Sequence, residues 1–76
     1  MPRRTEKQLL VSILINAHSM MNSDNTSEAG KEHAKEIYKL SFNGLIELYD
    51  IDYDVVETDD SAQRRIMLDG IIYSCK

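Results

Sequence analysis

Seven carboxylates fall between Glu47 and Asp60 with no base among them: Glu47, Asp50, Asp52, Asp54, Glu57, Asp59 and Asp60. A cation site is the first chemistry to test. Asp50, Asp52 and Asp54 match ligand positions one, three and five of a calcium-binding loop. The sixth position is then Val55, where the sharp turn needs glycine, and the twelfth is Ser61, where a bidentate Glu must close the site. The spacing excludes that loop. If residues 50–54 are extended, Asp50, Asp52 and Asp54 project to one side about 6.7 Å apart, twice the strand rise. That separation is comparable to successive phosphates on a nucleic-acid strand. Such a row could occupy a basic DNA-binding groove on a partner, and its charge would favour fast, salt-sensitive association. Tyr53 lies among these charges, which keeps it from burial and adds an aromatic contact. The competing reading is a solvated acidic loop that maintains solubility.

His18, His33 and Cys75 are scattered, without zinc-site spacing. Neither histidine has a Ser, Cys or carboxylate partner at a spacing that identifies a nucleophile and base. His18 is expected at the boundary of an apolar stripe, His33 on a charged helix side, and Cys75 in a frayed terminus. Gly30, Gly44 and Gly70 are isolated, so there is no glycine-rich phosphate loop. The residues thus predict no catalytic site, metal or cofactor, and a protein that works by binding. A second set of charges, Lys31, Lys35 and Lys39 with Arg64 and Arg65, could instead meet phosphates. It would suit a phage-type helical oligomer that sequesters a signalling nucleotide to counter host defence. For Arg64 and Arg65 the simpler reading is that they counter Asp59 and Asp60. A structural or assembly subunit, for which neither charge set is critical, is the third class.

The elements that must carry these residues are mostly helical. Thr5-Glu6-Lys7-Gln8 has the form of a capping box, and Leu10, Ile13, Leu14, Ala17, Met20 and Met21 recur at helical spacing behind it. This predicts a helix over about 5–21. The polar run 22–27 ends it, and Thr26 or Ser27 caps a second helix reaching about residue 49. That helix is apolar on more than one side: Ala34, Ile37, Ser41, Leu45 and Leu48 form one stripe, and Phe42, Ile46 and Tyr49 a neighbouring one. Such breadth predicts a second packing partner, either the C-terminal segment or another subunit. The last third reads two ways. Asp50 to Thr58 alternates like a strand. Asp59-Asp60-Ser61 can cap a third helix carrying Leu68, Ile71, Ile72 and Cys75, whereas Asp69-Gly70 is a hairpin-turn signal. Helix preference in Ala62, Gln63, Arg64, Arg65, Met67 and Leu68 favours the helix. The expected fold is a mostly α single domain over 1–76: an antiparallel helical hairpin plus a C-terminal segment.

The chain has 76 residues, 13 acids against 9 bases, and one cysteine. A core this small is marginal without a disulfide, a metal or a second subunit. A homodimer or higher oligomer is therefore expected. The lone cysteine points to a reducing, cytoplasmic setting. The apolar run Leu9–Ile15 is too short for a membrane span, and a charge of −4 argues against direct nucleic-acid binding. Bases cluster at Arg3, Arg4 and Lys7, along the lysines of the second helix, and at Arg64 and Arg65. They flank the acidic stretch on both sides.

Thr5-Glu6, Leu9-Leu10, Ile13-Leu14-Ile15-Asn16, Tyr38-Lys39-Leu40 and Leu48-Tyr49-Asp50 together resemble the AbbA-like small antirepressors of Gram-positive bacteria, over about residues 5–50. The resemblance implies a small helical dimer that occupies the DNA-binding surface of a transcription regulator and so relieves repression.

Overall fold

A computed structural model describes residues 5–57 and 59–75 as two helices followed by a three-stranded antiparallel sheet. Arg3 and Arg4 lie outside the described residues. Helix α1 spans Glu6–Met21 and helix α2 spans Glu28–Tyr49. The Thr5 hydroxyl accepts from the Gln8 N–H at 3.1 Å, and Gln8 Oε1 accepts from the Thr5 N–H at 2.8 Å. This capping box satisfies two donors that would otherwise be orphaned at the helix start. Ser27 opens α2, its Oγ accepting from the Gly30 N–H at 3.1 Å. Both helices thus occupy the ranges that spacing and caps predict. The Tyr49 hydroxyl donates to Glu6 Oε2 at 2.8 Å, which ties the end of α2 to the start of α1 in an antiparallel pair.

The remainder is a sheet, so the fold is α+β and the expectation of a mostly α chain is overturned. Strands β1 (Asp54–Glu57), β2 (Ala62–Leu68) and β3 (Ile71–Cys75) form a meander in the order β1-β2-β3. The expected third helix is absent from the described residues, and the all-helical layout implied by the antirepressor resemblance ends at Tyr49. Two effects outweigh the helix preference of residues 62–68. Asp69 and Gly70 adopt φ of 51° and 79°, the two-residue turn whose twist fits a hairpin. The turn sets Leu68 opposite Ile71, Ile66 opposite Tyr73, and Arg64 opposite Cys75. That register gathers Ile66, Tyr73 and Cys75 on one face, where all three are buried.

The buried core combines Leu14 and Ala17 of α1, Ala34, Tyr38, Phe42 and Leu45 of α2, and Ile66, Tyr73 and Cys75 of the sheet. The sheet therefore covers one side of the helix pair. His18 stands at this junction, its ring 5.0 Å from Tyr73 edge-on and 5.9 Å from Tyr38. The Tyr38 hydroxyl donates to the Ser74 carbonyl at 2.8 Å. Burial, with Cys75 and Tyr73 nearby, pushes the Tyr38 phenol up to about 12. Cys75 is packed in this core rather than frayed, and burial pushes its thiol up. That shift disfavours the reactive thiolate. No helix among the described residues is long and apolar enough to cross a membrane.

Candidate partner-binding surface

Side chains alternate across a strand, so the residues between the buried ones form the outer face of the sheet. Strand pairing places Asp54 opposite Arg65 and Met67 opposite Ile72 on that face. Asp52 and Tyr53, in the segment entering β1, join Asp54, Arg65, Met67 and Ile72 around a shallow cleft of about 200 Å³. Met67 is 67% exposed, and Tyr53 and Ile72 are about half exposed. The cleft thus combines apolar and aromatic side chains with two carboxylates and the guanidinium of Arg65.

The acidic stretch does not form the single extended row that its spacing suggests. Asp50 caps α2 in the left-handed conformation, φ 49° and ψ 39°, and the Ile51 N–H turns back to the Leu45 carbonyl at 3.3 Å. A left-handed residue at this position ends a helix and redirects the chain, so Asp50 is out of line with Asp52 and Asp54. Glu57 pairs opposite Ala62 and falls on the other sheet face from Asp54 when the side chains alternate. Asp59 and Asp60 are exposed between β1 and β2, and Glu47 is exposed on α2. Asp52, Tyr53 and Asp54 are the part of the stretch brought together.

The basic set is divided as well. Arg64 and Arg65 are neighbours in a strand and face opposite ways. Arg64 Nη2 donates to Asn43 Oδ1, and its guanidinium lies 5.8 Å from the Phe42 ring centroid, a cation–π distance. It braces the sheet against α2 instead of countering Asp59 and Asp60. Arg65 lies opposite Asp54, with its Nε buried and without a hydrogen-bond partner among the described residues. Lys35 and Lys39 border a separate cleft with Met21, Tyr38, Ser74 and Cys75. Lys31 is half-buried one turn earlier on α2. His33 is exposed, and no group of three His, Cys, Asp or Glu side chains among the described residues is placed to hold a metal ion.

Met67 and Ile72 are the exposed apolar residues of this cleft that sequence reasoning misses. It places both in a helix, one as a helix former and one as part of a buried stripe. The signal that could find them is alternation on either side of Asp69-Gly70. Comparison with protein-family models, curated proteins and solved structures gives no match to this chain.

Proposed function

We propose that this chain is a small binding protein that covers a basic surface of a protein partner with the outer face of its sheet. The observation that carries this reading is the grouping of exposed Tyr53, Met67 and Ile72 with Asp52 and Asp54. Aromatic residues and Met are favoured at the centres of protein interfaces, where a few buried anchors supply most of the affinity. Carboxylates beside them steer a basic partner and speed encounter. The DNA-binding surface of a transcription regulator has the required chemistry, and covering it would relieve repression. The likeness of residues 5–50 to small antirepressors points the same way.

The test is affinity capture from the native host, with retained proteins and small molecules both identified, followed by association kinetics. Changing Asp52 and Asp54 to Asn should slow association roughly tenfold at low salt while leaving the melting temperature unchanged. Changing Met67 to Ala should mainly speed dissociation. Lys31, Lys35 and Lys39 changed to Gln should bind as wild type does. Loss of activity in the lysine variant, with the aspartate variant intact, would sink this reading and favour nucleotide capture.

A further inference from the structure

The outer face of the sheet sets its charges and its apolar side chains in a fixed order. Asp54 and Arg65 lie opposite each other, as do Met67 and Ile72. Arg65 and Met67 are two residues apart on β2, so the charged pair and the apolar pair share one face about 6.7 Å apart. Asp52 and Tyr53 precede Asp54 and line the same cleft. The Tyr53 ring is half exposed, and both carboxylates are exposed. An apolar pair within one strand step of two carboxylates and an aromatic ring suits a side chain with an aliphatic stem and a cationic head. Such side chains lay the stem along apolar surface and keep the head in polar surroundings.

On the footing that the sheet face is the partner-binding surface, we infer that the cleft receives one arginine side chain of the protein partner. Its stem lies on Met67 and Ile72, and its guanidinium meets the carboxylates of Asp52 and Asp54 beside the Tyr53 ring. Charge decides the sign. Two carboxylates and one guanidinium line the cleft, and Asp50, Glu57, Asp59 and Asp60 are exposed on the adjoining chain, so the local field draws a cation. Arg65 does not fill the role itself. It lies opposite Asp54, yet its Nε is buried with no hydrogen-bond partner among the described residues. Asp54 is therefore not held in the two-pronged pairing through Nε that a guanidinium and a carboxylate favour. The Arg65 charge leaves one carboxylate in surplus, which fits a single cationic head. A second copy of this chain would bring the same acids against the cleft and be repelled.

Arginine fits this lining better than lysine does. A guanidinium is planar and weakly hydrated, stacks on aromatic faces, and offers several donors in a rigid fork. It can meet two carboxylates without giving up a tightly held water shell. An ammonium is a compact, strongly hydrated charge and loses more on entering a cleft lined by Met67 and Ile72. The ring of Tyr53 adds attraction for a cation placed over it. The volume of about 200 Å³ admits one side chain rather than a folded segment.

The probe is the blocked tripeptide acetyl-Ala-Arg-Ala-amide, titrated into the full chain while backbone amide shifts are followed by NMR. The same peptide with lysine, or with uncharged citrulline, in place of arginine serves as comparison. Amides of Asp52, Tyr53, Asp54, Arg65, Met67 and Ile72 should shift together. Arginine should bind roughly threefold tighter than lysine, and citrulline hardly at all. Tyr53→Leu should erase the preference for arginine, and Asp52→Asn combined with Asp54→Asn should remove binding of both cations. Arg65→Gln should tighten binding severalfold, because it removes a like charge. Should that variant misfold, the citrulline and Tyr53→Leu comparisons decide. Loss of binding in a folded Arg65→Gln variant would mean that the cleft holds an anion, and the inference would be wrong. It would be equally wrong if lysine or citrulline bound as arginine does, or if the arginine peptide left these amides unmoved at tens of millimolar. A captured partner that covers these amides, yet binds unchanged when each arginine of its interface becomes lysine, overturns this inference and leaves the sheet-face reading standing. A partner that covers other amides overturns the sheet-face reading whatever the peptide does.

Discussion

The two flanks of α2 are both apolar, yet one is core and the other is surface. Phe42 is fully buried beneath Arg64 and the sheet, whereas Leu40, two residues away, is mostly exposed. Composition does not separate them, since each flank would serve as the inside of a helical hairpin. The difference lies in what the chain does after Tyr49. Asp50 turns it to one side, the meander lays Ile66 and Tyr73 along that side, and Leu40 and Leu48 on the opposite stripe stay exposed. The apolar breadth of this helix is therefore only partly covered by the chain's own C-terminal segment.

The sharpest way to break this contrast is to truncate each flank in turn. Phe42→Ala should cost about 3–5 kcal/mol, because the cavity is enclosed by packed neighbours. Leu40→Ala should change the folding stability by less than about 0.5 kcal/mol. Thermal denaturation of both variants beside the wild type measures the two costs. Equal losses would show that the flanks are equally buried.

A smaller effect tests the turn that places the sheet on its chosen side. Gly70 holds φ at 79°, and a Cβ added there would meet no heavy atom within 4 Å, so a substitution meets backbone strain rather than a clash. Gly70→Val should cost about 1–2 kcal/mol and should lower protection of β2 and β3 amides in hydrogen exchange. Protection of α1 and α2 should fall less. Uniform loss would mean that helices and sheet open as one unit.

The smallest effect sharpens the inner flank through pH. Tyr38 has a folded pKa raised to about 12 from 10.0. The neutral phenol is therefore favoured by folding, and the folded state holds the proton longer than the unfolded chain. Its contribution is complete below pH 10 and fades as pH rises through 12. Cys75, also raised by burial, acts in the same direction. Tyr38→Phe should cost about 1 kcal/mol at neutral pH for the lost hydrogen bond to Ser74. It should also flatten the alkaline fall in melting temperature, and an unchanged slope would remove Tyr38 as its source.

Local chemistry settled much of this protein before any packing. Thr5 and Gln8, Ser27, and the polar run between the helices fix where α1 and α2 begin and where α1 stops, because caps act within a single turn. Asp69-Gly70 carried the hairpin signal just as locally. Its neighbours carried the opposite preference, and differences of a few tenths of a kcal/mol per residue cannot decide between helix and strand. The decision came from burial of Ile66, Tyr73 and Cys75 against Tyr38 and Phe42, a contact between segments far apart in the chain. The same tertiary choice scattered the acids. Spacing alone aligned Asp50, Asp52 and Asp54, but the left-handed cap at Asp50 and the pairing of Asp54 with Arg65 left only Asp52 and Asp54 beside Tyr53. Residue types determined that this chain has acidic and apolar surfaces to offer. Which of them lie together was decided by the strand register, because a shift of one residue in a sheet exchanges every inward side chain for an outward one.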